Sequence, residues 1–498
     1  MHSKHTHNKL VIVGGGSAGW MSAAMLRRLL PKSIDIELVE SDQIGTIGVG
    51  EASIPPLTLF NQGLGIAHKD FMAATKASIK LGIQFEGWGR EGDSYMHAFG
   101  RFGKDLGLVP FHQYWLAQGQ AAETLWDYSL NYQAAKRNNY AELEQLPNAP
   151  WAGLVHAYHF DAGLYANFLS QQAQAAGVKR TQGHIDKVSQ CPDSGDITGL
   201  TLTDGTQVSG DFYIDCSGLH ALLIQKTLGV GFDDWSHWLP ADRAWAVPSE
   251  RQANTRPYTR SIAHDEGWQW QIPLQHRIGN GMVYSSRFIS DEDAKAQLMA
   301  NLPGKPLAEP RLIRFQTGRR RKAWQNNCVA IGLSAGFLEP LESTSIHLIQ
   351  SGVLRLAKLF PSGDSYQALA DEFNRQSEFE YSQVRDFIIL HYHLNQRANG
   401  RLWAHCRQMT IPESLRLKMA LFAEQGVVTR NSDELFAEEA WLQVMLGQGL
   451  QPERANALTG TVSDADRAEF LSNVRQIMAH ASEQLPSHDQ YLNQFGAV

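Results

Sequence analysis

The first forty residues limit the fold of this chain more than any other feature. Leu10-Val11-Ile12-Val13 is an apolar run. Gly14-Gly15-Gly16-Ser17-Ala18-Gly19 is a glycine-rich turn, and helical character follows to about Leu30. Residues 34–39 are apolar again and end at Glu40. Strand, turn, helix and second strand make a βαβ opening, which places both strands parallel in one sheet. Gly14, Gly16 and Gly19 fit GxGxxG. The first glycine permits the tight turn, the second lets backbone approach a pyrophosphate, and the third lets helix and strand pack closely. Ser17 and Ala18 open the helix, whose N-terminal N–H groups attract phosphate charge. Glu40 closes the second strand where a carboxylate meets an adenosine ribose. The expectation is a dinucleotide site.

Composition excludes several alternatives. At 498 residues the chain can bury a large core without disulfides or metals, and its length corresponds to roughly three domains. A net charge of −7 argues against a nucleic-acid backbone binder. Cys191, Cys216, Cys328 and Cys406 are widely spaced with no CxxC, so no zinc site or disulfide framework is expected. The His-rich residues 1–8 read as a frayed terminus, not a metal site. The first apolar run is too short for a signal segment or a membrane span, which points to a soluble, cytoplasmic protein with no membrane partner. Thirteen Trp and 21 Phe make it rich in aromatics.

Further along, Asp161 is a plausible N-cap for a helix over 161–176. Asp204-Gly205 suggests a hairpin turn, and residues 243–288 alternate like antiparallel strands. After 332–344 the chain reads as mainly helical. No repeat or linker is visible, so the domains are expected to interweave: a cofactor-binding core over 1–360 and a helical region over 361–498 that completes a substrate pocket. Phe212 to Gly218 and Cys328 to Ala335 are apolar strands entering small-residue turns. They resemble the returning strands of the FAD-dependent monooxygenase fold, the second running through Leu333 past the flavin. This favours FAD over NAD, and no second strand-embedded GxGxxG is present for a nicotinamide. The expected fold class is α/β (α+β): a Rossmann-like dinucleotide-binding core, an antiparallel substrate sheet and a helical C-terminal region.

Gly267-Trp268-Gln269-Trp270-Gln271-Ile272-Pro273 reads WxWxIP. Alone it is an ordinary strand with tryptophans on one face. Together with residues 11–23, IGVGEASIP at 47–55, the segment around Lys80 and FLEPLEST at 337–344, it resembles the flavin-dependent tryptophan halogenase family over most of the chain. The resemblance implies an enzyme that uses FAD as FADH2, O2 and a halide (chloride or bromide) to form hypohalous acid. That oxidant then reaches a separate pocket and halogenates an indole-type aromatic. It also implies a separate NAD(P)H-dependent flavin reductase as partner. A homodimer is compatible with this reading. A hydroxylase of the same fold and a non-catalytic FAD-binding protein are the alternatives.

Residue roles follow from the resemblance. Trp268, Trp270 and Pro340 wall the flavin chamber. Gly45 to Glu51 match a strap over the cofactor, with Gly48, Gly50, Glu51 and Ala52 as contacts. Ile79, Leu81, Ile83 and Phe85 alternate, so one strand would turn Lys80 to the opposite face, where a lysine is ordinarily a solvated charge. Registering on Phe85 and Trp88 instead makes Lys80 the catalytic lysine, with Lys76 as rival. Pro340 suits a first helical turn, and Glu342 becomes the active-site carboxylate. Thr344 and Ser345 fall where the family binds halide, with Ser345 where many members have glycine.

The substrate end departs from the family pattern. His97 and Phe99 match pocket-lining positions. Phe436 stands where a tryptophan sandwiches indole, and its ring offers a smaller face. No tyrosine lies between Tyr392 and Tyr491, so the clamp that holds the amino-acid backbone of free tryptophan is not expected. Indole, or an indole derivative, fits this end better. The basic run from Arg319 to Lys322 reads as a solvated face or a phosphate contact.

Overall fold

A computed structural model describes residues 8–41, 50–119, 124–146, 151–363 and 365–495. The chain forms two interleaved compact units. The first comprises residues 1–76, 160–237 and 313–382, and the second residues 77–159, 238–312 and 383–498.

The first unit is built on the βαβ opening. Strand Lys9–Val13 pairs in parallel with Asp35–Glu40 on one side and Phe212–Asp215 on the other. Cys328–Ala330 and Lys179–Gln182 extend the sheet in parallel, and Trp324–Gln325 adds an antiparallel edge. Of the two apolar segments that the sequence marks as returning strands, Phe212–Asp215 lies beside the nucleotide strand and Cys328–Ala330 lies next beyond it in the same sheet. These central strands are buried on both faces, which explains why they read as continuous apolar runs. One face packs on the helix Ser17–Leu29, which packs in turn on Ala162–Ala175 and Ser345–Lys358. The other carries an antiparallel sheet, Ile185–Gln190, Ile197–Leu202 and Gln207–Ser209, with Leu200, Leu202 and Val208 on Val11, Val39 and Tyr213. Asp161 caps its helix through Leu164 N–H at 3.1 Å. The small-residue turn after Cys328–Ala330 does not run straight into a helix. A 3-10 turn at Gly332–Ser334, the short strand Gly336–Phe337 and a second 3-10 turn at Pro340–Glu342 intervene before Ser345.

The second unit centres on a sheet in which six strands run in the order Arg243–Ser249, Ile278–Tyr284, Gly267–Pro273, Thr259–His264, Gly82–Glu86, Ser94–Ala98. All neighbours are antiparallel except Thr259–His264 with Gly82–Glu86. Helices dominate its C-terminal part, among them Arg401–Gln408, Glu413–Gln425, Glu438–Gly447 and Asp464–Glu483.

The single strand expected through Lys80 is two strands. Ser78–Lys80 pairs with Ala157–Phe160, whereas Gly82–Glu86 belongs to the large sheet. The break falls at Leu81, whose N–H donates to Pro257 O at 2.7 Å and whose carbonyl accepts from Phe99 N–H at 2.9 Å. Gly82 makes this close approach feasible, since a Cβ there would lie 2.5 Å from His97 O. No helix among the described residues is long and apolar enough to cross a membrane.

Candidate active site

The nucleotide turn assigns each glycine a separate job. Gly14 has φ +114°, and a Cβ there would lie 2.2 Å from Cys216 O. A Cβ on Gly19 would lie 1.8 Å from Gly14 O, so this glycine sets the helix–strand distance. Gly16 differs from both: a Cβ there would meet nothing within 4 Å. That open space lies at the start of the helix Ser17–Leu29, which has no side-chain cap and no acidic residue in its first turn. Its first N–H groups are thus available to an anion. Gly332, φ +75°, packs its turn on Ala18, where a Cβ would come within 2.9 Å, and so places Leu333 beside the glycine-rich turn. These residues fit the pyrophosphate of a dinucleotide.

Glu40 ends its strand as expected, with its carboxylate folded over Gly15 and ion-paired to Arg180 Nε. Sequence reading missed Arg180, because nothing local links residue 180 to residue 40 before the parallel pairing of their strands is known. Asp215, fully buried, accepts hydrogen bonds from the N–H groups of Ser217, Leu223 and Ile224 at 2.8–2.9 Å and so shapes the DxSG turn. Gly48 lies outside the described residues. Gly50 has φ +126°, and Ala52 is buried. Glu51 is pushed up to about 7, by burial first and then by the negative charge of Asp161.

Pro340–Glu342 forms a 3-10 turn with Glu339 and Glu342 buried. Ser343 takes a left-handed conformation, and Thr344 precedes the helix that opens at Ser345. The buried Thr344 hydroxyl has no hydrogen-bond partner among the described residues. The basic run is not a solvated face at Arg319 and Arg320. Arg319 pairs with Asp233 at 3.1 Å and Glu378 at 2.9 Å. Arg320 donates to Ser334 O at 3.2 Å and stacks over Phe232. Arg321 and Lys322 stay exposed, and Arg321 pairs with Asp233.

In the second unit, Trp268 and Trp270 are both buried on one face of their strand, 6.1 Å apart by ring centroid. Trp268 joins Trp88, and Trp88 joins Trp403 and Tyr392. The Trp270 indole N–H is buried without a partner among the described residues.

Lys80 is 0% exposed, so it is not a surface charge. Its Nζ stands 5.4 Å from the centre of the Phe99 ring. His97 lies 6.4 Å from Phe99, 5.7 Å from Phe387 and 6.3 Å from Phe436. Phe387 and Phe436 stack at 3.9 Å, and Trp441 packs edge-on against Phe387. The three residues singled out at the substrate end, His97, Phe99 and Phe436, thus gather around one aromatic box with Lys80 at one side. Phe387, on the long helix Gln367–His393, was missed. Helical periodicity marks it as core, and nothing in its neighbourhood marks it as pocket. Lys76, the rival lysine, instead ends the helix His68–Thr75 in a left-handed conformation. Among the described residues no cluster of His, Cys, Asp or Glu has the makings of a metal site.

The tryptophan halogenase family model matches residues 9–464. The chain belongs to the tryptophan halogenase family. It is 33% identical to the tryptophan 6-halogenase SttH of Streptomyces toxytricini over 98% of both chains. The flavin-dependent halogenase Xcc4156 of Xanthomonas campestris superposes with a TM-score of 0.95 at 45% identity, over 99% of each chain. BrvH, a flavin-dependent halogenase from Brevundimonas sp. BAL3, gives 0.94 at 44% identity, over 98% of this chain and 99% of that one. As a member of this family the chain is a flavin-dependent halogenase, with the mixed α/β fold described above, and it uses FAD and halide. The family implies a flavin reductase as partner and an aromatic substrate.

Proposed function

We propose that this halogenase acts on indole, a simple indole derivative or an indole carried by a larger molecule, in preference to free tryptophan, and that Lys80 delivers the halogen. The observation that carries the proposal is the box in which Lys80, His97, Phe99, Phe387 and Phe436 meet. Its walls are aromatic faces suited to a flat apolar ring. The tyrosine-free stretch from 393 to 490 offers no phenol to grip an amino-acid backbone.

Gly14, Gly16, Ser17, Ala18, Gly19, Glu40, Gly50, Glu51, Ala52 and Leu333 are the residues that would hold FAD. Gly48 belongs with them by sequence. Pro340, Trp268 and Trp270 are read as flavin-chamber walls, and Thr344 and Ser345 as the halide site. Bound as FADH2, the flavin supplies the reduction of O2 that converts halide to hypohalous acid. Lys80, buried and held by its strand, hydrogen-bonds that acid or carries its halogen as a haloamine. Either state fixes an electrophilic halogen against one ring carbon. The halogen passes to that carbon, which loses its proton, and the oxygen leaves as water. Glu342, a buried carboxylate, is read as the group that stabilises the ring cation and takes the proton.

The test is mass spectrometry of indole and of tryptophan treated with the enzyme, FAD, a flavin reductase, NADH, O2 and either chloride or bromide. Indole is expected to give a halogen isotope doublet at a higher rate than tryptophan. Lys80→Ala should abolish the doublet with FAD affinity unchanged. A clear preference for tryptophan sinks the substrate assignment, and a Lys80→Ala enzyme of near wild-type rate sinks the lysine assignment.

A further inference from the structure

We infer that His488, more than four hundred residues downstream of Lys80, is a positioning residue for that lysine, acting by closing the open edge of the strand that carries it. The inference rests on the role proposed above for Lys80.

Ser78–Lys80 is only three residues long and pairs antiparallel with Ala157–Phe160, with Ser78 opposite His159 and Lys80 opposite Ala157. In such a pair, successive N–H groups point alternately toward the partner strand and away from it. The Ile79 N–H points away, and Ile79 is fully buried, so this donor needs a protein acceptor. His488 Nε2 supplies it at 3.1 Å. The donor is the N–H immediately before Lys80, so the contact sets the backbone from which the lysine side chain projects.

The bond also fixes the chemistry of the histidine. An Nε2 that accepts cannot carry hydrogen, so the proton sits on Nδ1, which donates to Thr255 O at 2.8 Å. Thr255 N–H is held in turn by the Asp489 carboxylate at 3.2 Å. His488 is fully buried, and burial lowers it to about 4, so it is neutral across the working range. The other side of the strand is tied by a different histidine: Ser78 Oγ meets His159 Nδ1 at 3.2 Å, and His159 Nε2 meets Thr259 Oγ1 at 2.8 Å. His159 too is kept neutral, by burial and then by the positive charge of Lys80. The three-residue strand is therefore clamped between two neutral histidines, and the outer clamp comes from the C-terminal helix His488–Leu492.

The deciding comparison is His488→Gln against His488→Asn in the full-length, FAD-loaded enzyme. The glutamine oxygen can reach the place of Nε2, whereas the asparagine amide is too short. The readouts are kcat and KM for indole halogenation, free hypohalous acid released per O2 consumed, and melting temperature. His488→Gln is expected to hold kcat near wild type. His488→Asn should lose at least ~10-fold in kcat, with KM little changed and more hypohalous acid escaping unused. Equal behaviour of the two variants, or wild-type kcat and coupling in His488→Asn, overturns the inference. Lys80→Ala measured alongside separates the two levels: if it still halogenates, the lysine assignment is what has failed.

Discussion

The sequence motif gives Gly14 and Gly16 different jobs, and the structure gives them opposite tolerances. Gly14 holds a positive φ with Cys216 O directly in the path of a side chain. Gly14→Ala should therefore damage the fold itself, costing about 2 kcal/mol or more through strain and backbone collision. Gly16 has φ −78° and ψ −169°, an extended conformation open to any residue, and free space around its Cβ position. Gly16→Ala should leave the melting temperature of the FAD-free protein unchanged or slightly raised, by about 0.5 kcal/mol. It should nonetheless weaken FAD binding, because the methyl enters the space a pyrophosphate needs. Flavin fluorescence titration checks this, and unchanged FAD affinity in Gly16→Ala would place the phosphates elsewhere. The glycines were legible because GxGxxG fixes both backbone and ligand. Lys80 was legible only through its neighbours in the family pattern, since alternation alone turns it to solvent. Arg180 and Phe387 were not legible, because each gains its meaning from a partner distant in sequence.

Among the elements, the strand Gly267–Pro273 was read correctly as a strand, but its register was invisible. The structure pairs Trp270 with Gly281 on Ile278–Tyr284. The Trp270 ring lies across that glycine, since a Cβ there would fall 2.1 Å from its Cζ2 and 2.5 Å from Trp245 O. A tryptophan thus occupies space that its cross-strand partner leaves empty, a complementarity between two segments that neither shows alone. Gly281→Ala should cost about 1–3 kcal/mol by overpacking and displace the Trp270 ring. A lowered melting temperature with a changed tryptophan emission spectrum is the expected pair of signals. An unshifted spectrum at wild-type stability would mean that the ring is not seated there. The strand through Lys80 shows the opposite failure of sequence reading. Its apolar alternation continues unbroken from Ile79 to Phe85, but the backbone of Leu81 donates to Pro257 and accepts from Phe99, and the chain changes sheets. Periodicity reports which side chains are buried, not which neighbour takes the backbone bonds.

For the whole molecule, the histidines of the second unit and Glu51 of the first act in opposite directions between pH 7 and pH 5. In the second unit His112, His159, His264, His393, His405 and His488 all have lowered values, with burial the first cause. A histidine kept neutral in the fold stabilises fully above its unfolded value of 6.5, and that stability is lost as pH falls. For His488, lowered to about 4, the loss by pH 5 is about 2 kcal/mol, since each pH unit in the window counts roughly 1.4 kcal/mol. In the first unit Glu51 is raised from 4.5 to about 7, so the folded state holds a proton there that the unfolded chain has released. Its contribution has the reverse sign: present below 4.5, and lost as pH rises through 7. Glu51 keeps some surface exposure, which makes ~3 kcal/mol an upper bound for it. Acidification from pH 7 to pH 5 should therefore loosen the second unit while the first holds or gains. Hydrogen exchange at the two pH values, corrected for intrinsic rates, reads this directly. Amides of Gly267–Pro273 and Ile278–Tyr284 should lose protection at pH 5, and those of Lys9–Val13 and Phe212–Asp215 should not. Glu51→Gln should remove the pH dependence of the first unit and leave that of the second intact. Equal loss in both units would show that the buried histidines do not set the acid sensitivity of the fold.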